Sequence, residues 1–82
     1  MQHSFCMDAV LLKELGKRIR EKRKALGWTQ EELAAEADID RSYIGGVERG
    51  ERNLTFTVLG AICAALDCDV AAITKGIPKA AR

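Results

Sequence analysis

Apolar residues along this chain recur at the three- and four-residue spacing of amphipathic helices, in five segments separated by turn and cap residues. Leu12, Leu15, Ile19 and Leu26 form an inner stripe over Ala9 to Leu26. Asp8 is placed to cap that helix, Gly27 to stop it, and Trp28 to cover the junction that follows. Thr29 and Glu32 have the spacing of a capping box, which opens a second helix with Leu33, Ala34 and Ala37 on its inner side. Asp40 caps a third, Arg41 to Arg49, with Ile44 and Val47 inward and Gly50 as the left-handed stop. Thr55 caps a fourth, Phe56 to Leu66, with Phe56, Leu59, Ile62, Cys63 and Leu66 inward. Asp69 caps a short fifth from Val70 to about Lys75, and Gly76 ends it. Residues 1–8 are expected to be loosely ordered, 9–76 to form one domain, and 77–82 to be a tail.

The stretch from Thr29 to Gly50 organises the rest. Ile39 lies in the turn between two short helices and holds them at an angle. At about 100° per residue, Ser42, Gly45, Gly46 and Arg49 then face away from the core, with Arg41 beside them in the first turn. This is the layout of a helix-turn-helix. The series Thr29-Gln30-Glu31-Glu32-Leu33-Ala34, Ile39, Ser42-Tyr43-Ile44 and Glu48-Arg49-Gly50 resembles the helix-turn-helix family of phage repressors, Cro proteins and restriction–modification controller proteins. The resemblance runs from about Leu15 to Ile73 and implies an all-α, compact five-helix, lambda-repressor-like domain that binds double-stranded DNA and regulates transcription.

Composition agrees. Eighty-two residues suffice for one small domain, and two Phe, one Tyr and one Trp leave a mostly aliphatic core. No apolar run approaches the ~20 residues of a membrane span, and the first six residues lack the marks of a secretory signal, so a cytoplasmic, nucleoid-associated protein is expected. The net charge of +1 decides nothing, but its distribution is uneven. Lys13 to Lys24 holds seven bases against two acids, whereas Glu31 to Asp40 holds five acids and no base.

An α-helix fits the DNA major groove, and an arginine in its first turn can read guanine. Arg41 is the first candidate base reader; Ser42 can bond either a base or a phosphate. For Tyr43 the resemblance implies a place near thymine methyls or the backbone, and half-buried packing is the competing reading. Gly45 and Gly46 each cost up to ~1 kcal/mol inside a helix. Either DNA approaches closely there or the site merely tolerates small residues. By resemblance Gln30 grips a phosphate. Arg49, Arg52, Asn53 and Thr55 are candidates for a second phosphate run, and Lys17 or Arg18 for a third, with a solvated face as the alternative for helix 1.

The family implies three further features. Arg23, on the inner stripe, is matched to Glu48 as a semi-buried ion pair. Glycine is common where Asp38 stands, since that turn favours left-handed geometry. Acids at Glu31, Glu32 and Glu36 are placed to touch RNA polymerase, or else form a solvated face. Val70, Ala72, Ile73 and Ile77 offer more apolar surface than a short fifth helix can bury, and so predict a homodimer on a roughly palindromic operator. Cys6, Cys63 and Cys68 lack metal-ligand or disulfide-framework spacing, and His3 is the single histidine. No cofactor, metal or enzyme activity is expected. A restriction–modification controller is the best match in size and a phage-type repressor the next. An antitoxin or coactivator-type interaction module is the reading from another class.

Overall fold

The computed structural model describes residues 2–78, which contain five helices and no strand. These are α1 (Gln2–Ala25), α2 (Gln30–Ala37), α3 (Arg41–Glu48), α4 (Phe56–Ala65) and α5 (Val70–Thr74). The boundaries follow from local chemistry. The Glu32 N–H donates to Thr29 Oγ1 at 3.1 Å while the Thr29 N–H donates to Glu32 Oε1 at 2.8 Å, closing the capping box. Asp40, Thr55 and Asp69 each accept from a backbone N–H at the start of α3, α4 and α5. Asp38 ends α2 at φ 58°, and Asp67 takes the same left-handed conformation after α4. An aspartate reaches that region at a cost most side chains would not bear.

The core is aliphatic. Ile19, Leu33, Ile44, Val47, Ile62, Cys63 and Leu66 are fully buried, with Leu15, Trp28, Ile39, Tyr43, Leu54 and Val58 packed around them. Helices α2 and α3 pack on each other, α1 crosses α3, and α4 with α5 closes the other side. The crossing of α1 over α3 depends on Gly16. A Cβ there would lie 2.3 Å from the Val47 carbonyl oxygen and 2.8 Å from that of Glu48. Sequence reading had no hold on this contact, because a glycine on a helix face carries no mark of what approaches it.

Three expectations are corrected. Helix α1 is continuous from Gln2, so Asp8 lies inside it and does not cap it; no glycine or proline interrupts the run before Gly16. Leu26 is exposed, since α1 stops at Ala25 and Trp28 covers the core edge instead. Phe56 is 75% exposed, while Leu54 and Val58 to either side of it pack against the core.

Candidate nucleic-acid interface

The exposed end of α3 is joined to the scaffold by a chain of polar contacts. Arg23 of α1 donates to Glu48 of α3 twice, from Nε to Oε2 at 2.7 Å and from Nη2 to Oε1 at 3.0 Å. Its remaining nitrogen Nη1 donates to the Trp28 carbonyl at 2.7 Å. Both partners are buried, and Glu48 holds the Arg23 guanidinium protonated against the opposing pull of burial. Glu48 Oε1 accepts a third bond, from Gln30 Nε2 at 3.0 Å. A carboxylate can only accept, so the Gln30 amide must turn its NH₂ toward Glu48 and its oxygen outward. That oxygen accepts from Arg41 Nη1 at 3.2 Å. The path from the core to the first residue of α3 is thus Arg23, Glu48, Gln30, Arg41.

The other sequence-derived positions divide. Arg41 and Ser42 are exposed on the first turn of α3. The Ser42 hydroxyl donates to Asp40, which with the Ser42 N–H keeps the Asp40 carboxyl below its ordinary range. Tyr43 is half-buried against the core, and the Arg52 guanidinium carbon stands 5.1 Å from its ring centroid. Gly45 and Gly46 point away from the core, where an added Cβ would meet only the Gln30, Arg49 and Arg52 side chains, but they are not open to solvent. Both are buried under side chains from other parts of the fold. A Cβ on Gly45 would lie 3.2 Å from Arg49 Nη1 and 3.6 Å from Gln30 Oε1, and one on Gly46 2.9 Å from Arg52 Cγ. The glycines make room for Gln30, Arg49 and Arg52 to lie across α3.

Among the phosphate candidates, Arg49 and Arg52 are exposed beside α3, the former paired with Glu51 at 3.0 Å, and Asn53 is exposed with them. Thr55 caps α4. Gln30 has its NH₂ on Glu48 and its outward oxygen on Arg41. Lys17 is exposed on α1, but Arg18 is drawn elsewhere: its guanidinium donates to the carbonyls of Ile73 and Lys75 and to Glu14, tying the end of α5 to α1. Of the three acids on α2, Glu31 lies 3.6 Å from Arg41 Nε, Glu32 closes the capping box, and Glu36 is exposed. The dimer candidates split likewise. Ile73 is only 6% exposed and belongs to the core, Val70 packs against it, Ala72 is exposed and Ile77 half-buried. Burial and the neighbouring Cys68 push the Cys63 thiol up to about 12, so it stays a neutral core residue. Among the described residues no group of three or more His, Cys, Asp or Glu is arranged to hold a metal, and no helix is long and apolar enough to cross a membrane. The side chains of His3 and Cys6 lie outside the described ones.

An angled helix pair whose second member presents an arginine from a braced first turn defines a helix-turn-helix protein. The chain belongs to the helix-turn-helix family, a class of DNA-binding regulators of transcription; the family model matches residues 19–73. It is 39% identical over 56 residues to the control protein C.SmaI of Serratia marcescens, covering 68% of this chain and 67% of that one. It is 39% identical over 59 residues to the immunity repressor of Bacillus phage phi105, covering 72% of this chain but only 41% of the repressor's length. Among solved structures, the restriction–modification controller C.AhdI from Aeromonas hydrophila superposes with a TM-score of 0.74 at 44% identity, over 76% of this chain and 94% of its own. The controller C.Esp1396I, as a tetramer in complex with its natural 35 base-pair operator, gives 0.75 at 36% identity, over 84% and 91%.

Proposed function

We propose that this chain binds a roughly palindromic DNA operator as a homodimer, with the first turn of α3 in the major groove, and acts in the cytoplasm as a controller-type regulator. The likeness to controllers along nearly their whole length supports the controller reading over the phage repressor, of which this chain spans less than half. One observation carries the mechanism: Arg41 is held from behind by Gln30, whose amide is in turn oriented by Glu48. An arginine fixed in advance gives up little side-chain freedom on reading a guanine edge, which favours specific over nonspecific binding. Arg49, Arg52 and Asn53 supply sequence-independent phosphate contacts beyond α3.

In this account Gln30 is a positioning residue for Arg41 and not chiefly a phosphate ligand. Gln30→Ala is expected to cut operator affinity about tenfold while leaving nonspecific binding and the salt slope nearly unchanged. In an Arg41→Ala background the same change is expected to have little further effect, a non-additivity that a double-mutant cycle reads directly. A uniform loss on all DNA, additive with Arg41→Ala, would instead assign Gln30 to phosphate.

A further inference from the structure

We propose that Cys63 and Cys68 form a reversible dithiol–disulfide pair, a site of oxidation by peroxides at the corner between α4 and α5. The placement follows from how α4 ends. Asp67 turns into the left-handed region at φ 58°. Two backbone bonds then close the turn: the Asp67 N–H donates to the Ala64 carbonyl at 3.2 Å and the Cys68 N–H to the Cys63 carbonyl at 2.9 Å. This is the Schellman arrangement, in which the residues joined by the wider bond commonly meet through their side chains in an apolar contact. Helix α2 ends the same way, with the Ile39 N–H on the Ala34 carbonyl at 2.9 Å, and there both residues of the pair are hydrocarbon. At the end of α4 both are cysteine. Neither belongs to the DNA-facing positions described above.

The two thiols differ in a way that suits successive roles. Cys63 is 2% exposed in the core, whereas Cys68 is half-buried and reaches solvent. The Cys68 thiol lies within hydrogen-bonding reach of Cys63. A thiol open to solvent beside a second thiol is the layout in which an oxidised sulfur is resolved as a disulfide before it takes up more oxygen. The Cys68 sulfur attacks one oxygen of hydrogen peroxide; the O–O bond breaks, the other oxygen leaves as water, and Cys68 becomes a sulfenic acid. The Cys63 sulfur then bonds to that of Cys68 as the S–O bond breaks, and the departing hydroxide takes the Cys63 proton as a second water. Two electrons pass in all from the thiols to the peroxide. A disulfide needs Cα atoms about 4.4–6.8 Å apart, and two residues joined by a 2.9 Å backbone hydrogen bond start close to that range. The bond therefore forms within the native turn.

Mass spectrometry of the reduced full chain after treatment with hydrogen peroxide tests this, with Cys6→Ser and Cys68→Ser as variants. Trypsin releases residues 53–75 as one peptide that holds Cys63 and Cys68 but no methionine, while Cys6 leaves in residues 1–13. The 53–75 peptide is expected to lose about 2 Da, the mass of two hydrogens, in the wild type and in Cys6→Ser alike, and dithiothreitol should restore it. Helical circular dichroism of the oxidised chain should match that of the reduced one. In Cys68→Ser the buried Cys63 should stay unoxidised under the same treatment. Oxygen added to the 53–75 peptide in place of the 2 Da loss, a link to the 1–13 peptide, or no reaction at all would overturn the pairing. A disulfide that forms only with loss of helical signal would show that the native turn holds the thiols apart, and would overturn it equally.

Discussion

Replacing Glu48 with alanine is expected to lower the unfolding free energy by about 3–5 kcal/mol. Arg23 and Glu48 are 7% and 8% exposed, so removing the carboxylate leaves a guanidinium in the core with two of its bonds unmade. Gln30 loses its partner at the same time. An unpaired buried charge costs far more than the pair contributes, which is why deletion of one partner is the informative change. A domain of this size has only about 5–15 kcal/mol of stability in total, so the variant should be partly unfolded at physiological temperature. Urea titration followed by circular dichroism measures the loss. A change below about 1 kcal/mol would mean that water replaces the carboxylate freely and that the pair does not lock α3 to α1.

Gly16→Ala is expected to destabilise the fold by about 2 kcal/mol even though alanine is the better helix former. Relieving glycine within α1 is worth up to about 1 kcal/mol. Against that stands a new Cβ 2.3 Å from the Val47 carbonyl oxygen and 2.8 Å from that of Glu48. Both neighbours are backbone of α3, so they cannot swing aside as a side chain would. The two helices must separate, and overpacking of this kind costs about 1–3 kcal/mol or more. Differential scanning calorimetry should show a lower midpoint by roughly 10 °C, using the 4–8 °C per kcal/mol typical of 60–100-residue domains. A midpoint equal to or above that of the wild type would show that α1 can ride over α3 without glycine.

These two sites also mark where sequence stops being informative. The helix-turn-helix was legible because its signals are local: the Thr29–Glu32 box, the Asp40 cap and the Gly50 stop lie within a few residues of what they fix. The Arg23 and Glu48 partnership was reachable only through family resemblance, since nothing in either neighbourhood names the other. Gly16 was invisible because the groups that require it are some thirty residues away and are carbonyls, which every residue has. Gly45 and Gly46 were read outward from angular position alone. Their burial comes from Gln30, Arg49 and Arg52 folding across α3, a matter of side-chain reach that periodicity does not encode. Arg18 was read as a candidate phosphate contact, yet it binds carbonyls at the end of α5. Phe56 had the spacing of a core residue, but it is exposed at the first residue of α4 while Leu54 of the preceding loop packs against the core.

The central claim is that Arg41, braced through Gln30 and Glu48, reads bases while the surrounding cations bind any DNA. Footprinting of the full chain on fragments of its own genome, with excess competitor DNA and across a salt series, tests it against an Arg41→Ala variant of unchanged circular dichroism. The expected result is a symmetric protected site for the wild type that the variant no longer protects, while the variant keeps salt-dependent nonspecific binding. Protection that is unsymmetrical, competed away by bulk DNA, or equal in the two proteins would contradict it.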